Sequence, residues 1–323
     1  MMSGEWCPPR RLPGTPDLET ALARGIARAG TGGVRYTRRQ LYYAVCRTLL
    51  PPERVIRASA WMLGAAGAGL LALQGAPPVW TGLTGSAVGL SAPRLVRAMP
   101  FTLKPPLSES AFDRALMAYR ARHGDPPGLL PDAPPSPRAL VGREPDLYDY
   151  GMALALVCQD AALARMLRAN LLHMELACAV LSLEEATPLP DALVAMLMRA
   201  PAPRVLLLHD ASPEGLRLVV EARRLLDPPR GLRVHAPGLR PRHALRMHLF
   251  ATRQPGFAAE LPASLNALER AWLCAGYRAE LAAPHPPALP RAIRRIAQPA
   301  RRREPWLAQL RRWPASGYMS WPA

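Results

Sequence analysis

RVLLLHDASPEG, residues 204–215, decides how this chain reads. Val205 to Leu208 is a continuous apolar run that stops just short of Asp210, and Ser212-Pro213 then carries the signature of a helix N-terminus. An apolar run of this length between turn signals is a buried strand, so the segment predicts a strand ending in a carboxylate beside a helix start. In open α/β sheets such strand ends hold metal ions and phosphates. Outward from it the same alternation repeats: strands are expected at 153–158, 176–183, 205–209 and 232–235, with helices at 161–172, 191–199 and 213–226. The fold class is therefore α/β, a mainly parallel, Rossmann-like sheet covered by helices over residues 148–283.

Toward the N-terminus, Leu18, Leu22 and Ile26 share a helical face, Gly32-Gly33 breaks the pattern, and Thr37 is an N-cap for a helix over 38–49. Two short helices about a turn predict a helical, winged-helix-like unit over residues 1–57. In a DNA-reading module the first-turn Arg38 and Arg39 would meet phosphates or bases; in a packing subdomain they are simply solvated. Residues 58–93 follow without one charge in 36 positions, divided by Pro77-Pro78 into 19 and 15. A bilayer core of about 30 Å takes about 20 helical residues, so these lengths suit a hydrophobic hairpin or one tilted helix. Arg54 and Arg57 before the run and Arg94 and Arg97 after it place both flanks on the cytoplasmic side if it inserts. Its richness in Gly and Ala also suits a hairpin buried within a soluble domain. Residues 94–147 hold an amphipathic helix (108–123) and a proline-rich connector, and 284–323 form a basic tail of prolines, arginines and Trp306, Trp313 and Trp321.

Basic residues number 41 against 24 acidic, for a net charge of +17, which favours anionic partners: nucleic acid or anionic lipid at a membrane surface. Lys104 is the only lysine, so arginine carries nearly all of that charge, as coding bias alone would also produce. Cys7, Cys46, Cys158, Cys178 and Cys274 are scattered and odd in number, which argues against a disulfide framework or a zinc site. No signal peptide is visible. Phosphate-binding glycine loops, dinucleotide-binding turns and nucleophile elbows are absent, which disfavours nucleotide hydrolases, dinucleotide oxidoreductases and serine hydrolases of the usual kinds. His209 and Asp210 are adjacent on a strand and point to opposite faces, so they do not share an ion. The GLRPRH loop, residues 238–243, offers Arg240 and Arg242 to a phosphate.

LALVCQDAALARML (154–167), followed about fifty residues later by LLLHDASPEG (206–215), resembles the TOPRIM fold of topoisomerases, primases and related nucleases. RRQLYYAVC (38–46) resembles the tyrosine-bearing winged-helix segment of topoisomerase VI type A subunits and the related meiotic break proteins. The resemblance implies magnesium held by acids at the strand ends, with Asp210 and Glu214 carried over and Tyr43 in the place of the DNA-attacking tyrosine. Where the family has its first glutamate this chain has Cys158 and Gln159, and Ser212 replaces the second acid of the Asp-x-Asp pair. Asp160 falls on the turn, as an N-cap. A thiol or an amide is a poor ligand for a hard cation. The sequence therefore leads to a membrane-tethered binding or scaffold protein with a TOPRIM-like domain that has lost catalysis and needs no cofactor. The alternatives are a magnesium-dependent nuclease or topoisomerase-like enzyme acting on DNA, and a soluble nucleic-acid-binding protein.

Overall fold

The structure, a computed structural model, describes residues 17–50, 102–132, 152–254 and 261–297. Helices α1 (Leu18–Ala29) and α2 (Arg38–Leu49) are joined by a short 3-10 turn at Thr31–Gly33. Helix α2 starts where the sequence predicts: Thr37 Oγ1 accepts from the Gln40 amide while Gln40 Oε1 accepts from the Thr37 amide, satisfying two end donors reciprocally. Helix α3 (Glu109–His123) follows, capped by Ser108.

The α/β part begins with β1 (Leu154–Cys158) and α4 (Ala161–Ala169), continues through a short α5 (Leu172–Leu176) to β2 (Cys178–Ser182), and then to α6 (Asp191–Met198). Strand β3 (Arg204–Leu208) leads into α7 (Pro213–Leu226), and β4 (Arg233–His235) closes the sheet. After it come α8 (Pro241–Arg246), β5 (Thr252–Arg253), α9 (Ala267–Cys274), β6 (Tyr277–Arg278) and α10 (Ala288–Ala297). The four main strands are all parallel in the order β2-β1-β3-β4, and β5 and β6 form a small antiparallel pair. The second strand starts later than its apolar pattern suggests, because α5, flanked by left-handed Leu171 and Ala177, takes up the residues before it.

Alternating strand residues serve two cores, as the pleat requires. Leu154, Leu156, Leu206 and Leu208 face a large cluster that also holds Leu22, Tyr43 and Phe112 from the helical unit. Ala155, Val157, Val205 and Leu207 face the opposite cluster with Leu193, Leu197 and Leu226. Burial on both faces explains why β1 and β3 read as unbroken apolar runs. The helical unit and the sheet thus share one continuous apolar layer.

The expectation of a membrane-tethered protein with a transmembrane helix is corrected here. Among the described residues no helix is long and apolar enough to cross a membrane. The longest of them, α3, has 15 residues and includes charged side chains; at 1.5 Å per residue it spans roughly 22 Å, short of the bilayer core of about 30 Å. The run at 58–93, on which the hairpin reading rested, lies outside the described residues, as do the connector from 133 to 147 and the tail from 298.

Candidate functional site

With the order β2-β1-β3-β4, the chain leaves β1 toward one edge of the sheet and β3 toward the other, so a crevice opens between their C-terminal ends. Two acids stand there. Asp160 caps α4, its Oδ1 accepting from the Ala162 amide at 2.8 Å. Asp210 lies just beyond β3; its amide donates to Gln159 Oε1 at 2.9 Å and its Oδ1 accepts from the Leu281 amide at 2.6 Å. Gln159, in the stretch where the family glutamate would stand, is thus a tie between the ends of β1 and β3. Gly215 completes the corner: a Cβ there would lie 2.4 Å from the Asp210 carbonyl oxygen, so only glycine lets α7 start this close to the strand end.

A third acid arrives from far along the chain. Ala211 and Ala279 pair their backbones, with N–H···O distances of 2.9 and 3.1 Å, and this short antiparallel bridge carries Glu280 to the same crevice. Asp160, Asp210 and Glu280, together with Glu109 and Asp113 of α3 and Arg38 and Arg39 of α2, line one cavity of about 380 Å³. Burial pushes the Asp210 carboxyl up to about 7, opposed by the Leu281 hydrogen bond and reinforced by the negative charges of Glu280 and Asp160. Asp160 is raised in the same direction, chiefly by burial.

Arg39 closes the cavity. Its guanidinium forks onto Glu280, Nε to Oε2 at 2.7 Å and Nη2 to Oε1 at 2.5 Å, and Nη1 reaches Glu109 at 2.5 Å. The hydrogen bond to Glu280 holds the guanidinium well above its ordinary pKa. Arg38 is paired with Asp113. Magnesium, which the TOPRIM resemblance implies, takes hard oxygen donors, and these acids are of that kind. Their arrangement does not fit it: both Glu280 oxygens are spent on Arg39, and among the described residues no three His, Cys, Asp or Glu side chains stand as a group able to hold a metal ion. Glu214 is on the exposed first turn of α7, paired with Arg278 at 3.0 Å, and is not among the cavity's walls. Cys158 is fully buried in β1, and burial pushes its thiol up.

Tyr43 sits beneath the cavity, 2% exposed, with its ring stacked on Phe250 at 6.0 Å. Burial, with the charge of Glu280, raises its phenol far above the ordinary value. The neighbouring Tyr42 reaches the cavity wall and donates to the Leu107 carbonyl at 2.6 Å. His209 is buried and stays neutral, because burial lowers its pKa; its Nδ1 is 2.9 Å from the Asp210 carbonyl. Arg240 forks onto the fully buried Glu269, Nε at 3.0 Å and Nη2 at 2.6 Å, and Arg242 reaches the same carboxylate at 3.9 Å.

All four arginines singled out from the sequence therefore face acids. The arginines without acid partners lie elsewhere. Arg28, Arg47 and Arg291 gather about His285, whose pKa is lowered by burial and then by these three positive charges. Arg47 lies 5.6 Å over the Phe250 ring with its Nε buried and without a hydrogen-bond partner. Next to this group, Arg35, Arg291 and Arg294 line a second cavity of about 450 Å³ between the 31–33 turn, the end of α4 and α10. No motif marked these residues; only their packing brings them together. Compared with protein-family models, curated proteins and solved structures, the chain matches none.

Proposed function

We propose that this is a nucleic-acid-binding protein whose sheet-mouth cleft is occupied by its own arginines. The observation that carries the reading is the segregation of charge. Acids at the mouth of the sheet are spent on Arg38 and Arg39, whereas Arg28, Arg47 and Arg291 crowd around His285 in a chain of net charge +17. Like charges held together by a fold repel one another, and a polyanion relieves that repulsion while releasing its own counterions. The same reading takes α1, the glycine turn and α2 as a winged-helix-like unit, and the parallel sheet as a TOPRIM-like domain put to use for binding. Fluorescence anisotropy of the full chain with labelled duplex and single-stranded oligonucleotides tests it. Affinity should fall steeply as salt rises from about 50 to about 200 mM. Absence of binding at the low end, or binding indifferent to salt, defeats the reading.

A second reading, an enzyme of the nuclease or topoisomerase kind, is favoured by one specific observation: Asp160, Asp210 and Glu280 share a cavity, and Asp210 lies near 7. A carboxyl in that range takes up and releases protons at neutral pH. Plasmid DNA incubated with the protein, with and without magnesium, separates the two. Nicking that disappears in Asp210→Asn would replace the first reading with the second.

A further inference from the structure

Among the cavities, the one lined by Arg35, Arg291 and Arg294 has the composition of an anion site. None of its lining residues is acidic. Arg294 is held in place by Glu175, with Nε to Oε1 at 2.6 Å and Nη2 to Oε2 at 2.8 Å. Arg35 and Arg291 are exposed and form no ion pair among the described residues. Two cations without an acid therefore face one concave space, beside a third whose charge is already matched.

The wall opposite the arginines is rigid and open. Asn170 clamps the backbone of Arg35 from both sides: its Oδ1 accepts from the Arg35 amide at 2.8 Å and its Nδ2 donates to the Arg35 carbonyl at 2.8 Å. Gly32 and Gly33 adopt φ values of 77° and 72°, and a Cβ on either would meet nothing within 4 Å. The turn thus presents bare backbone to the cavity, with no side chain to keep a ligand away. Leu171, 63% exposed at the end of α4, adds an apolar wall against which a base or sugar can rest. About 450 Å³ is ample for a nucleotide unit and falls within the range of small-molecule sites.

We infer that this cavity binds the phosphodiester backbone of a nucleic acid, with Arg35 and Arg291 on the phosphates, Asn170 fixing the turn, and Leu171 beside a base or sugar. This rests on the nucleic-acid-binding reading above and assigns its contact site. It also explains why the arginines of α2 and α8 are dispensable for phosphate contact: they are spent on acids.

The test is anisotropy of a labelled single-stranded oligonucleotide over a salt series, with the full chain. Arg35→Ala/Arg291→Ala should flatten the plot of log affinity against log salt by about 2, one unit per lost phosphate contact. The charge-matched pair Arg223→Ala/Arg233→Ala, on α7 and β4, should leave that slope in place. Arg291→Glu, at an exposed helix position that does not endanger folding, should weaken binding further than Arg291→Ala. If the wild type binds and both double variants behave alike, the site assignment is wrong while the binding reading stands; if the wild type does not bind, the binding reading itself falls and takes the assignment with it. Displacement of the oligonucleotide by millimolar inorganic phosphate at constant ionic strength would make the cavity a free-phosphate site. Co-sedimentation with anionic phosphatidylserine vesicles that needs Arg35 and Arg291, alongside oligonucleotide binding that does not, would make it a lipid-headgroup site. Either result overturns the assignment.

Discussion

The cavity at the sheet mouth and the cavity beside α10 are of similar size, about 380 and 450 Å³, and of opposite character. The first collects acids from α3, the strand ends and the 277–281 segment, and then neutralises the most accessible of them with Arg38 and Arg39. The second collects arginines and neutralises only Arg294. An ion pair within the fold removes two groups from the surface available to a ligand, so a motif rich in charge is no measure of what a site can bind. What remains unpaired is the better guide, and here it is positive.

Backbone crowding gives the largest difference between the two. Gly215→Ala forces a Cβ against the Asp210 carbonyl oxygen, a backbone atom with little room to shift; destabilisation of about 1–3 kcal/mol is expected in urea unfolding, despite the better helix propensity of alanine. Gly32→Ala meets open space and carries only the cost of a left-handed φ, about 1 kcal/mol. Equal losses at the two glycines would erase the contrast between a tight corner and an open turn.

Charge removal comes next. Arg39→Ala leaves Glu280 and Glu109 without their partner beside Asp210, and unfolding should become easier by about 1–2 kcal/mol, less than for a fully buried pair because the Arg39 side chain is 37% exposed. Arg291→Ala removes a cation that has no acid partner, so stability should stay within about 0.5 kcal/mol of the wild type. A larger loss for Arg291→Ala than for Arg39→Ala would show that the basic side is structural and would remove the reason to assign it a ligand.

The smallest effect is a pH dependence. Asp210 is raised in the folded state to about 7, against about 3.9 for an unperturbed aspartate. Between those values the folded chain binds more protons than the unfolded chain, so this group's contribution to stability decreases as pH rises from about 4 to about 7. Replacing Asp210 by Asn should remove that component, and the difference between wild-type and variant denaturation midpoints should widen in the variant's favour toward pH 7. A difference that does not change with pH would mean that Asp210 is ionised throughout and its acid neighbours are compensated.

Much of this was legible in the chain because it is local. The helix starts at Thr37 and Ser212 are written in caps three residues long, and both form as read: Ser212 Oγ accepts from the Gly215 amide at 3.0 Å. The apolar run before Asp210 is β3, and Pro213 to Leu226 is α7 with the bounds its pattern indicates. Asp160 is an N-cap, as its place on the turn suggested, but it also borders the cavity. Counting acids near the two strand ends leaves out Glu280, which is 70 positions beyond Asp210 and arrives only through the Ala211–Ala279 bridge. No periodicity or motif signals such a meeting.

The sequence by itself therefore determined the elements, their caps and the parallel α/β class, because hydrogen bonds along a helix and alternation along a strand depend on neighbours a few residues away. Only the tertiary structure decided which charges survive. Arg39 and Glu280 stand 241 residues apart and bind one another, whereas Arg35 and Arg291 share a cavity with no acid on its walls. Electrostatic pairing follows distance through space, and that distance is set by how the helices pack on the sheet.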